Sequence, residues 1–150
     1  MVSDNNQQSP IEKIEFNLSY LARWLEANHR RRTYPLERAH YLLLNLLCEK
    51  SPQSSGALAS QLGLDSSTVT RQIKAMMALE LLTRLPDPAD RRGCLIQVTQ
   101  LGIDKYEQMQ SIRRENVEKI FQDWSDEEKR SIGNALEKLN NSICRNLENN

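Results

Sequence analysis

Wind residues 66–79 at about 100° per residue with Val69 at the centre of one side, and Ser67, Arg71 and Lys74 point away from it, with Thr70 on one flank and Thr68 on the other. No carboxylate falls between Asp65 and Glu80. Short hydroxyls near a helix N-terminus and cations further along can hydrogen-bond to base edges and neutralise phosphates. Ser66, Ser67, Thr68, Thr70, Arg71 and Lys74 are therefore candidate contacts to double-stranded DNA through its major groove. A plain helical hairpin with a solvated polar face is the competing reading of this stretch alone.

A second cationic pair, Arg91 and Arg92, stands in a loop with two prolines and a glycine (86–93). The loop lies between two short apolar stretches, 81–85 and 94–99, that read as strands. Strand, charged loop and strand directly after the helix make a wing. A guanidinium at its tip can enter a minor groove and respond to its width and negative potential. Asp90, two residues before Arg92, is expected to pair with it and hold its orientation. Away from this context the segment would be an ordinary exposed hairpin loop.

The elements that must position these groups are legible around them. Leu58, Ala59 and Leu62 form one apolar stripe on a short helix, Gly63 sits where a helix end needs positive φ, and Leu64 is expected to drop into the core. Asp65 and Ser66 are both good N-caps for the helix whose buried side is Val69, Ile73 and Met76. Upstream, residues 36–47 read as a central helix with a wide apolar face of Ala39, Leu42, Leu43, Leu46 and Leu47, and 51–56 as a turn-rich connector.

The two ends of the chain are helical. Ser9-Pro10 opens a first helix whose Ile11, Ile14, Leu18, Leu21, Ala22 and Leu25 repeat as a narrow seam. It ends in His29-Arg30-Arg31-Arg32, a basic helix end favoured by the macrodipole and, alternatively, a phosphate contact. Thr99 caps a long helix carrying Ile103, Tyr106, Met109, Arg113, Val117, Ile120 and Phe121, with the period running to Trp124. A capping box at 125–128 opens the last helix, striped by Ile132, Leu136, Leu139, Ile143 and Leu147. A core this small cannot cover so many stripes. The terminal helices are therefore expected to pair two copies of the chain, spacing two recognition helices by one DNA turn, roughly 34 Å.

Composition narrows the classes. The 150 residues are 39% apolar and 27% charged, with 20 basic and 20 acidic side chains, so attraction to a polyanion must come from local placement. Residues 101–150 are the more acidic part, with eight Lys/Arg against ten Asp/Glu. Aromatics at 5% argue against single-strand binding by base stacking. Cys48, Cys94 and Cys144 make no paired spacing with each other or with His29 and His40, so no metal site or cofactor is expected, and reduced thiols in a cytoplasm fit them best. No segment is long and apolar enough for a membrane, and the polar residues 1–9 read as a disordered tail rather than a secretory signal. No Gly-rich phosphate loop or nucleophile–base motif supports an enzyme.

Asp90-Arg91-Arg92, a strand, then Val98-Thr99 and Gly102 match the wing pattern of the MarR family of dimeric winged-helix regulators, and the order of elements resembles that family along essentially the whole chain. The resemblance implies a mainly α fold with a small β-wing: a winged helix-turn-helix core plus N- and C-terminal dimerisation helices. The divisions would be a tail (1–9), an N-terminal dimerisation helix (10–34), a DNA-binding lobe (35–100) and C-terminal dimerisation helices (101–150). It implies a homodimeric transcription regulator, most simply a repressor, on an inverted-repeat operator, with Arg92 as the minor-groove arginine and Asp90 as its orienting partner. It further implies a small aromatic or phenolic ligand, for which Trp24, His40, Tyr41 and Tyr106 are candidate liners, though each also suits a core or an interface. The chain departs from the family pattern at Glu80, where Gly is usual, and at Leu85, where a basic residue is common. It has no cysteine in the first helix, where peroxide-sensing members carry one, and Cys48 is expected to be a small buried hydrophobe. The alternative is a winged-helix protein-interaction module that does not bind DNA specifically; the zero net charge and Glu80 favour it.

Overall fold

The computed structural model of the chain describes residues 9–31 and 34–148, with side chains over 9–27 and 34–146. The tail at 1–8, the side chains of the basic run at 29–32 and that of Leu147 lie outside those residues. The chain divides into two units, residues 1–34 and 35–150.

The first unit holds α1 (Pro10–Arg31). Ser9 and Glu12 start it with a reciprocal capping box: the Ser9 N–H donates to Glu12 Oε2 at 2.7 Å, and the Glu12 N–H to Ser9 Oγ at 3.2 Å. Ile11, Ile14, Leu18, Leu21 and Leu25, the seam residues, are exposed in the single chain.

The second unit runs α2 (Arg38–Glu49), β1 (Gln53–Ser54), α3 (Ser55–Leu62), α4 (Ser66–Ala78), β2 (Leu82–Pro86), β3 (Cys94–Val98), α5 (Gln100–Ile120) and α6 (Asp126–Glu148). Its core is Leu43, Leu44 and Leu47 of α2 with Leu58, Val69, Ile73, Met76, Ile96 and Met109. The buried side of α2 is turned from the expected one. His40, Leu43, Leu44 and Leu47 are inside, and Leu42 is exposed. The sheet is antiparallel in the order β1-β3-β2, with Leu82 opposite Val98 and Pro86 opposite Cys94. β1 was not expected from the connector at 51–56; it pairs Gln53 with Ile96 and Ser54 with Leu95. Buried Gln53 ties that connector down, donating to the carbonyls of Leu46 and Lys50 and accepting from Gln61 Nε2 at 2.7 Å. Helix α5 stops at Ile120, short of Trp124; Phe121 and Trp124 meet edge to face at 4.9 Å in the turn before α6. No described helix is long and apolar enough to cross a membrane.

Candidate nucleic-acid interface

The helix pair α3–α4 is built by capping at each end. Ser54 Oγ accepts the Ala57 N–H to start α3. Gly63, at φ 62°, ends it with the Leu64 N–H returned to the Ala59 carbonyl at 3.0 Å. Leu64 does not enter the core; it is 40% exposed, because the αL turn directs it away from the packed stripe. Asp65 rather than Ser66 is the N-cap of α4, accepting the Thr68 N–H at 2.8 Å. Ser67 and Thr68 also donate their hydroxyls to Asp65.

With Val69, Ile73 and Met76 fully buried, the opposite side of α4 is fixed. Ser66, Ser67, Thr70, Arg71 and Lys74 are exposed on it, and Thr68 is half-buried at its edge.

The exit from α4 is an αL turn even without glycine. Glu80 takes φ 58°, letting the Leu81 N–H bond back to the Met76 carbonyl at 3.0 Å. Thr99 closes this turn from the far side of the wing. Its hydroxyl donates to the carbonyls of Glu80 (2.7 Å) and Leu81 (3.1 Å), its N–H donates to Leu81, and its oxygen accepts the Gly102 N–H as the N-cap of α5. Gly102 is required by closeness: a Cβ there would stand 2.3 Å from the Leu81 carbonyl oxygen. The Val-Thr-x-x-Gly part of the wing motif is thus a clamp between α4, the sheet and α5.

At the wing tip Asp87 Oδ1 accepts the Ala89 N–H and Asp90 Oδ1 accepts the Arg92 N–H, both at 2.9 Å. Asp90 therefore reaches Arg92 through the backbone. Among the described residues the two side chains form no ion pair, since at this spacing the nearest donor to an Asx carboxylate is the peptide N–H. Arg91 and Arg92 are left exposed at the tip, and Arg84 adds an exposed cation on β2 that sequence reasoning passed over.

Of the candidate ligand liners, Tyr41 and Tyr106 come together, stacked with ring centroids 5.3 Å apart. Tyr106 donates its hydroxyl to Asn45 Oδ1 at 2.7 Å and accepts from Gln110 Nε2 at 3.0 Å; its pKa is raised, first by burial. The Arg113 guanidinium lies 4.7 Å over the Tyr41 ring, beside a cleft of about 370 Å³ that Tyr41, Gln110 and Arg113 help to line. Sequence reasoning had placed Arg113 in an apolar stripe and missed Asn45 and Gln110. His40 is buried, and Trp24 belongs to the first unit, where its ring meets Tyr20 at 6.4 Å. Cys48 is half-buried, its thiol pKa raised by burial and then by Glu107.

A helix-turn-helix followed by a clamped two-stranded wing defines a winged helix-turn-helix protein. The MarR family model matches residues 36–94, from just before α2 to the first residue of β3. The chain is 38% identical over 139 residues, 91% of its own length and 96% of the relative's, to the HTH-type transcriptional regulator YxaD of Bacillus subtilis (strain 168). The fold matches the transcriptional regulator SlyA with a TM-score of 0.74 at 20% identity, covering 90% of this chain and 96% of that one. It also matches the PcaV regulator from Streptomyces coelicolor in complex with its natural ligand, with a TM-score of 0.68 at 19% identity over 95% and 99% of the two chains. The protein belongs to the MarR family of transcription regulators, a family of DNA-binding proteins rather than enzymes.

Proposed function

We propose that the protein is a homodimeric repressor that reads an inverted-repeat DNA operator. Helix α4 enters the major groove, and Arg91 and Arg92 grip the flanking minor groove. The observation that carries this reading is the outer face of α4, where Ser66, Ser67, Thr70, Arg71 and Lys74 stand exposed on a helix whose other side is locked into the core. Ser67, Thr68, Thr70 and Arg71 are the base-edge candidates, with Lys74, Arg91 and Arg92 on phosphates and the narrow groove.

The dimer is supported by apolar surface that one chain leaves bare. The seam of α1 is exposed, and so are Val117, Ile120, Leu136 and Ile143 near the C-terminus. Val117, Phe121, Ile132, Gly133 and Leu136 line an apolar groove of about 490 Å³ between α5 and α6. Contiguous apolar surface of this kind marks an association site. Two-fold pairing would set two α4 helices about one DNA turn apart.

A small aromatic ligand fits the cleft beside Tyr41, where Arg113 and Arg114 supply cations and Gln110 a polar amide, with Glu118 on the same lining. That a structural neighbour was solved with its natural ligand supports a ligand-responsive mode. Binding would act by favouring one of two arrangements of the DNA-reading helices. A cytoplasmic site of action suits a DNA-binding regulator with three free cysteines among the described residues.

The test is enrichment of bound duplexes from a random pool with purified protein, followed by titration at several salt concentrations. An inverted repeat bound with strong salt dependence is expected. Retention on duplex DNA that does not respond to salt, or no enriched sequence, would overturn the reading in favour of a protein-interaction module.

A further inference from the structure

The hydroxyls of Ser67 and Thr68 at the start of α4 have their protons committed. Ser67 Oγ donates to Asp65 Oδ1 at 2.5 Å and Thr68 Oγ1 donates to Asp65 Oδ2 at 2.6 Å. Oδ1 also accepts the Thr68 N–H. A hydroxyl has a single proton, so each of these oxygens presents only lone pairs to anything that approaches from outside. The carboxylate is itself acceptor-only when ionised. It stays ionised at neutral pH, its pKa pulled well below the carboxylate range by the Ser67 hydroxyl first and then by the Thr68 hydroxyl and amide. Among the described residues no cation pairs with it. Asp65 and Ser67 are exposed and Thr68 is half-buried.

The N-terminal end of a recognition helix is where base edges are met. An uncapped helix start there would attract a phosphate. This one instead offers three side chains that can only accept, followed further along by the obligate donors Arg71 and Lys74. In the major groove the donors are the exocyclic amines of cytosine and adenine, whereas guanine N7 and O6 and thymine O4 are acceptors.

Building on the DNA-reading role above, we propose that Asp65 is a specificity-determining residue: by holding Ser67 and Thr68 as acceptors it makes each α4 select a base with an exocyclic amine, cytosine or adenine, on the strand it faces. Guanine and thymine at that position bring lone pairs against lone pairs.

The experiment enriches bound duplexes from a random pool with the full-length wild type, Asp65→Asn and Ser67→Ala in parallel, each checked for folding by circular dichroism. Asparagine is an equally good N-cap, so the Thr68 N–H bond survives. Its amide nitrogen is a donor, however, and frees one hydroxyl to donate as well. Wild type should show cytosine or adenine at one position of each half-site, with guanine and thymine depleted on that strand. Asp65→Asn should lower that preference about fivefold, the effect of one net hydrogen bond, and leave the rest of the motif in place. Ser67→Ala, which keeps the Asp65 carboxylate and its bond to the Thr68 N–H, should lower the same preference, and it decides the matter if Asp65→Asn fails to fold. Variant motifs identical to wild type at every position would overturn the proposal while the regulator reading stands. A wild-type pool with no motif at all would overturn both.

Discussion

Arg71 separates base reading from phosphate grip. It is exposed at the centre of the α4 face. If it contacts a base edge, Arg71→Ala should cost about 1–3 kcal/mol of specific affinity and little on random DNA. Equal losses on both would assign it to a phosphate. Glu80 supports a prediction about stability instead. Its φ of 58° is a conformation that a residue with a Cβ adopts at a cost of roughly 1–2 kcal/mol, partly offset by the extra chain entropy of an unfolded glycine. Glu80→Gly should raise the denaturant midpoint, by about 1 kcal/mol or less in stability; a lower midpoint would show that the Glu80 side chain contributes more than the turn costs. The family pattern has Gly at this point, so the departure in the sequence was legible. That the αL turn persists without it was not, because Thr99, which anchors the turn through the Glu80 and Leu81 carbonyls, comes from the far side of the wing.

At the scale of elements, local periodicity and capping made α3, Gly63, the Asp65 cap and the Val69–Ile73–Met76 stripe readable, since each depends on neighbours within a turn or two. What could not be read depended on distant pairing. β1 is two residues in a turn-like connector and is a strand only because β3 lies beside it. Arg113 fell at apolar spacing, and only the packing of α5 against α2 places it over Tyr41. The joint between the sheet and α5 gives a sharp test. Gly102→Ala drives a Cβ against a backbone oxygen that cannot rotate away, so it should destabilise the fold by about 1–3 kcal/mol and lower the melting temperature by several degrees. An unchanged melt would mean that the clamp yields freely.

The start of α4 should also answer to pH. The folded Asp65 carboxyl titrates below its unfolded value, so its stabilisation is complete above the ordinary Asp range and is lost as pH falls through the folded value. The lowered Glu128 carboxyl in the α6 capping box acts with the same sign. Asp65→Asn should therefore lower stability relative to wild type at neutral pH and above, with the gap narrowing as pH falls below the ordinary Asp range; a parallel shift at all pH values would remove the ionic component.

For the whole molecule the prediction concerns assembly. One chain leaves the seam of α1 and the α5–α6 groove uncovered, so a charge placed in either should prevent pairing without unfolding the lobe that holds α4. Leu18→Asp and Leu136→Asp should each halve the mass seen by light scattering, keep the helical circular dichroism signal, and weaken operator binding far more than binding to a half-site. A mass that stays dimeric in both variants would locate the interface elsewhere.

The Thr99 clamp makes a crowbar of the 21-residue α5. At 1.5 Å per residue the bar is roughly 31 Å long, so a tilt of roughly 5° about one end carries the other nearly 3 Å. Tyr41 of α2 grips it through Arg113, past the middle, while its short end is bolted to the carbonyls that follow α4. On the proposed function, a wedge no bigger than one aromatic ring, driven in at the grip, would thus be enough to pry a side chain out of step with the base edge assigned to it.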